Sequence, residues 1–349
     1  MVHVPSLSRR ATVCATLCAA TALTLAPASA GAATPTDAFS LLSEPPVVAG
    51  DVSVRPQGVK ARATAATGTP PQIAYSVVKS TDAPGEEEGV ASAVARLNPL
   101  TGVARTLVAD DRRLLTAQAW SDDRFRVYFS LLSLDEEGGQ FAVDSVSQAG
   151  GTPRREQADA VTLDVSRDGQ RLAFVRQEGE TANIFTSNAA GGDVRRVTGA
   201  GALTVRFSPD GGRLIFTRVV SSGGLDNTDV FTVRTDGTGL TRVTGRADTE
   251  DVGGAFSPDG RRVLFSRFTD GEDLPDVYSV GIDGRGLRLV RANAFDPDWA
   301  SNGWLTYLSI EGSAEQARTQ VAVRAPGVPG AETILTRERN FVTATRFAG

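Results

Sequence analysis

Short runs of alternating apolar and polar residues fill most of this chain, and they carry the marks of strands. RLIFTR, VLFSRF, DVFTV and DVYSV are rich in β-branched and aromatic residues and are bounded by Gly, Asp or Pro, as half-buried strands between tight turns are. The runs recur in a fixed order. From Val205 the chain reads VRFSPDGGRLIFTR and then DVFTVRTDGTGLTRVTG; from Gly254 it reads GAFSPDGRRVLFSRF and then DVYSVGIDGRGLRLVR. A weaker copy, LDVSRDGQRLAFVRQ followed by NIFTSNAAGGDVRRVTG, starts at Leu163, and WSDDRFRVYFS and DWASNGWLTYLS align with its first half.

The equivalent turn positions are Asp123, Asp168, Asp210, Asp259 and Asn302, with spacings of 45, 42, 49 and 43 residues. That period accommodates four short strands and their turns. We label the strands of one unit A (VRFS), B (RLIFTR), C (DVFTVR) and D (LTRVT). In the A-to-B turn, Pro209 and Pro258 preset φ, Asp210 and Asp259 bond to nearby backbone N–H groups, and Gly211 and Gly260 accept positive φ. The motif is thus explained by turn chemistry alone. Phe207, Phe256, Phe216 and Phe265, with Trp120 and Trp299, are expected to pack between stacked sheets.

Five A strands precede the end of the chain, whereas QIAYSVV, SAVARLNPLTG and VARTLVA supply a first unit with no A strand. The final NFVTATRFAG aligns with GALTVRFSPDG, placing Thr345-Arg346-Phe347 on Val205-Arg206-Phe207. The last strand is therefore expected to join the first unit as its innermost member, beside Gln72–Val78, and to close a ring without an open edge. The expected fold is all-β: a six-bladed β-propeller over 70–349 with four-stranded antiparallel blades.

The Phe-Ser-Pro-Asp-Gly frame at Phe207–Gly211 and Phe256–Gly260 resembles that of TolB-like, WD-repeat-like β-propellers, a repeat also built into the propeller domains of prolyl-oligopeptidase-type enzymes. The resemblance implies the propeller fold and does not specify an activity. A TolB-like protein is also expected to carry a compact α/β domain before its propeller, for which Gly31–Thr69 is too short.

The first thirty residues read as an export signal: Arg9 and Arg10, an apolar run from Ala11 to Pro27, and a small-residue cleavage site at Ala28-Ser29-Ala30. Residues 31–69 read as a flexible leader rich in Ala, Pro and Thr. A secreted, extracytoplasmic monomer with no membrane span is expected. Without Arg9 and Arg10, 34 basic residues face 41 acidic ones, which argues against a nucleic-acid partner. The single His, His3, and both cysteines, Cys14 and Cys18, lie in the signal segment. Ser-His-Asp and Cys-His catalysis and His-ligated metals are thereby excluded from the mature chain. A carboxylate pair acting on glycosides remains chemically open.

Charge separates by loop. The six B-to-C loops sum to −12, whereas the C-to-D turns carry Arg154, Arg155, Arg195, Arg196, Arg242, Arg285 and Arg288. Asp270, Glu272, Asp273 and Asp276 in DGEDLPD are the densest oxygen cluster, with Asp226 and Asp229 on the preceding unit. These six residues form a candidate binding face for a cationic protein or cell-envelope component. No cofactor is called for; Ca²⁺ is left open, although the spacing is not that of an EF-hand loop. Asp229 and Asp276 occupy equivalent starts of strand C, which also suits a structural role. The leading expectation is a non-enzymatic binding scaffold, and the alternative is a carbohydrate-active enzyme using Asp or Glu at the channel mouth.

Overall fold

The computed structural model describes residues 68–80, 90–135, 138–178, 181–199, 201–222, 225–312, 317–327, 332–336 and 341–348. The expected signal segment and all of the leader but Gly68 and Thr69 lie outside them. Twenty-four strands form six four-stranded antiparallel sheets among the described residues. Blade 1 takes β1 (Ile73–Ser80), β2 (Val90–Leu97) and β3 (Ala104–Asp110). Blade 2 is β4 (Arg113–Trp120), β5 (Arg126–Asp135), β6 (Gly138–Ser147) and β7 (Arg154–Ala158); blade 3 is β8 (Ala160–Val165), β9 (Arg171–Glu178), β10 (Thr181–Asn188) and β11 (Arg195–Thr198). Blade 4 is β12 (Ala202–Phe207), β13 (Arg213–Ser222), β14 (Leu225–Arg234) and β15 (Thr241–Arg242); blade 5 is β16 (Thr249–Phe256), β17 (Arg262–Thr269), β18 (Asp276–Gly281) and β19 (Arg288–Arg291). Blade 6 is β20 (Ala294–Trp299), β21 (Leu305–Glu311), β22 (Arg318–Arg324) and β23 (Glu332–Ile334). The last strand, β24 (Phe341–Phe347), pairs antiparallel with β1, Phe347 opposite Ile73 and Phe341 opposite Val78. The ring closes as the repeat alignment requires.

Period-two alternation along strand B divides each blade between its two neighbours. Leu172 and Phe174 pack on blade 2 while Ala173 and Val175 pack on blade 4; Leu214 and Phe216 face blade 3 while Ile215 faces blade 5. Tyr75, Phe129, Phe174, Phe216, Phe265 and Tyr307 hold one position, and each is buried against the preceding blade. Three of these rings stack on the strand C partner: Phe174 on Phe185, Phe216 on Phe231 and Phe265 on Tyr278, with centroids 5.7 to 6.0 Å apart. Arg176, Arg218 and Arg267 lie over the same pairs, at distances where a cation–π contact is attractive. Phe207 and Phe256 are buried as expected.

The A-to-B turns repeat one hydrogen-bond scheme. Ser208 Oγ donates to Asp210 Oδ1 (2.6 Å) and accepts from Arg213 N–H (2.9 Å), and Asp210 Oδ1 accepts from Gly212 N–H (3.0 Å). Ser121–Asp123, Ser166–Asp168 and Ser257–Asp259 do the same. The serine hydroxyl, then the backbone N–H, holds each of these four carboxyls below the ordinary aspartate value. Gly169, Gly211 and Gly260 supply the left-handed residue, whereas blade 2 has Arg124 there at φ 58°. Each innermost strand also carries a pairing irregularity against its B strand, as bulges that increase local twist do.

Because β24 is the innermost strand of blade 1, deletion of residues 340–349 opens the ring and leaves β1 as a bare edge. The truncated protein is expected to melt well below the full-length chain, by differential scanning calorimetry. An unchanged melting temperature contradicts closure through β24.

Candidate functional site

Strand A ends in a repeated pair of positions. The residue before the terminal strand A position is Arg346, Ala119, Asp164, Arg206, Ala255 and Asp298 in blades 1 to 6, so the series Arg-Ala-Asp occurs twice around the ring. The next residue is Phe347, Trp120, Val165, Phe207, Phe256 and Trp299. All twelve line a single recess of about 360 Å³. A cavity reached by equivalent residues of every blade lies on the ring axis. Its rim is made of A-to-B turn residues, among them Ser121, Asp122, Arg124, Arg167, Pro209, Pro258 and Ser301, so it opens at the end shared by the A-to-B and C-to-D turns.

The charged residues of this axis are interlocked. Arg206 Nη2 donates to Asp298 Oδ1 at 2.8 Å, and its Nε lies 3.5 Å from Asp164 Oδ1. Arg346 Nη1 donates to Asp296 Oδ2 (2.6 Å) and Arg346 Nε to the Gln118 carbonyl (3.2 Å). The carboxylates also accept strand A amides of the following blade: Phe207 N–H to Asp164 (2.7 Å), Phe347 N–H to Asp298 (2.8 Å) and Thr345 N–H to Asp296 (2.8 Å). Burial raises the pKa of Asp164, opposed by Arg206 and by the Phe207 amide. Burial also works against the charge of Arg206, yet Asp298, Asp164 and Asp296 together hold its pKa above the ordinary value.

The residues singled out from the sequence lie at the opposite end, in or beside the B-to-C loops of blades 4 and 5. Asp229 is fully buried and accepts from Arg242 and from Thr244 Oγ1 (3.3 Å). Burial raises its pKa, and Arg242 opposes this. Asp276 accepts Asn293 N–H (2.9 Å), tying strand C to the D-to-A connection. The side chain of Asp226 is outside the described set. Asp270, Glu272 and Asp273 are exposed on the turn after β17. Among the described residues no three His, Cys, Asp or Glu side chains converge as metal ligands, so the geometry gives Ca²⁺ no further support.

Sequence reasoning passed over Asp164, Arg206, Asp296, Asp298 and Arg346. Their signal was a charge inside an otherwise apolar strand A, directly before the terminal residue in Asp164, Arg206, Asp298 and Arg346. Trp299 packs against the core between blades 5 and 6, as expected, and is half-buried where it also lines the recess; Trp120 is buried, its Nε1 donating to the Arg346 carbonyl at 3.3 Å.

No protein-family profile matches the chain. Among solved structures it is similar to TolB from Acinetobacter baumannii, at 19% identity over 82% of this chain and 69% of that one, with a TM-score of 0.63. It is also similar to a putative TolB from Agrobacterium tumefaciens, at 19% identity over 80% and 99%, TM-score 0.56. A chain of a nidogen/laminin complex aligns at 12% identity over 79% and 98%, TM-score 0.55. The likeness is one of fold: a TolB-like β-propeller.

Removing one partner from a buried ion-pair network leaves uncompensated charge, at a cost of about 3–5 kcal/mol. Arg206→Met is expected to destabilise the protein by about that much in urea unfolding, and Asp164→Asn in the same chain to recover part of it. A loss below about 1 kcal/mol contradicts the interlocked axis.

Proposed function

We propose that the mature chain is a non-enzymatic, extracytoplasmic propeller that holds a protein or cell-envelope partner at the axial recess. The observation that carries this reading is the engagement of the axial carboxylates. A glycosidase needs one carboxyl to protonate the leaving group and a second to attack the sugar or activate water. Asp164, Asp296 and Asp298 are instead held by arginines and by the amides of the next blade. What remains at the axis is a concave surface with an aromatic and serine-bearing wall, set in a closed ring, which suits recognition by a preformed site.

Export rests on the signal segment, and a non-catalytic role is consistent with the absence of His and Cys after residue 30. No helix among the described residues is long and apolar enough to cross a membrane. The exposed Asp270, Glu272 and Asp273 at the other end offer a separate surface to a cationic partner, whose association would be weakened by salt.

Photo-crosslinking of residues 31–349 in the cell-envelope fraction tests the proposal. One partner is expected to crosslink to the wild-type protein, to be lost with Ser301→Trp, which fills the mouth, and to persist with Asp273→Asn at the opposite end. Hydrolysis of an envelope polysaccharide that disappears in Asp164→Asn or Asp298→Asn overturns the non-enzymatic reading.

A further inference from the structure

The recess is lined by charges of both signs: Arg124, Arg167, Arg206 and Arg346 face it with Asp122, Asp164 and Asp298, and Asp296 pairs with Arg346 just outside the lining. The two deep guanidiniums are not used up by their carboxylates. Nη1 of Arg206 and Nη2 of Arg346 donate no hydrogen bond to the described residues, and the two side chains, 17% and 14% exposed, line the recess. A guanidinium presents donors in a fixed planar fork that matches a carboxylate. A carboxylate entering the recess would meet guanidinium donors already held in place by Asp164, Asp296 and Asp298.

The rest of this end of the molecule points the same way. Arg195, Arg285 and Arg288 on the C-to-D side are exposed and form no ion pair with the described residues. Phe125, Val194, Leu240 and Leu287, in turns of the same end, are 44–61% exposed. An apolar fringe with unpaired cations around a concave centre describes a protein-docking surface better than a solvated one. At the rim, Arg124 sits at φ 58° where four other blades have glycine; the left-handed conformation is disfavoured for a residue with a Cβ. A glycine there would relieve that strain and would remove a cation from the mouth.

Resting on the binding function above, we infer that the recess receives an acidic segment of a partner protein, with an Asp, Glu or C-terminal carboxylate seated against Arg206 and Arg346. The aromatic wall and Pro209 and Pro258 then hold the neighbouring apolar side chains. Electrostatic attraction from the turn arginines speeds the encounter and weakens as salt screens it.

The test uses a random-peptide display library selected against residues 31–349, followed by calorimetric titration of the selected peptides and of their Asn and Gln counterparts. The selected peptides are expected to be rich in Asp and Glu, and the amide counterparts to bind at least about tenfold more weakly, as loss of a charge-assisted hydrogen bond implies. Ser301→Glu places a carboxylate in the mouth and is expected to abolish binding, while the isosteric Ser301→Gln retains it. Arg124→Gly is expected to raise the melting temperature and to weaken binding. Amide peptides that bind as well as acidic ones, or equal behaviour of Ser301→Glu and Ser301→Gln, overturn the inference and leave the scaffold reading intact. Failure to select any peptide, together with no crosslinked envelope partner, overturns both.

Discussion

Each innermost strand of the ring has one edge with no strand beside it, and the rest of the structure follows from how that edge is satisfied. A bare row of amides near the axis would be costly when buried and adhesive when exposed. The preceding blade supplies the acceptors instead. Ser76 Oγ takes Ala117 N–H at 2.7 Å, Thr217 Oγ1 takes Gly253 N–H at 2.8 Å, and Ser266 Oγ takes Asp296 N–H at 3.0 Å, all from the same position of strand B. Blades 3 and 6 have Val175 and Leu308 there, and Asp164 and Asp298 do the work from strand A. Between blades 2 and 3 the bond runs from Thr162 Oγ1 to Gln118 Oε1, at 2.7 Å.

Carboxylates placed near the axis for this purpose need counter-charges, which Arg206 and Arg346 provide. The axial charge is thus a product of ring assembly, and so is its two-fold order. An arginine has more donors than one or two carboxylates can accept from it. Both arginines line the recess, so the same side chains that join the blades also bring guanidinium groups to the site. Structure and recognition are not separable at this position, whereas the rim residues Arg167 and Ser301 stand outside the axial ion pairs.

The architecture was legible because it is written as a period. Turn chemistry at Ser208–Gly211 and Ser257–Gly260 located the A-to-B turns, and the alignment of Thr345-Arg346-Phe347 on Val205-Arg206-Phe207 located the closing strand and its register. The axial site was not legible, since the same alignment hides its members one per blade, far apart in the chain. Arg206 and Arg346 align with each other in the sequence, but only the ring brings them together with Asp164, Asp296 and Asp298. Loop charge was a poorer guide: Asp229 is an anchor for Arg242 at the start of strand C, and only Asp270, Glu272 and Asp273 of the described candidates stand exposed.

The central claim is that side chains of one blade cap the inner amides of the next and so bind the ring into one cooperative unit. Native-state hydrogen exchange read by NMR at the Phe207, Thr345 and Phe347 amides addresses it directly. The account predicts that these amides exchange only through global unfolding, with the same free energy as the amides in the middle of the B strands. Exchange through local opening, at the rates of exposed turn amides, would contradict it.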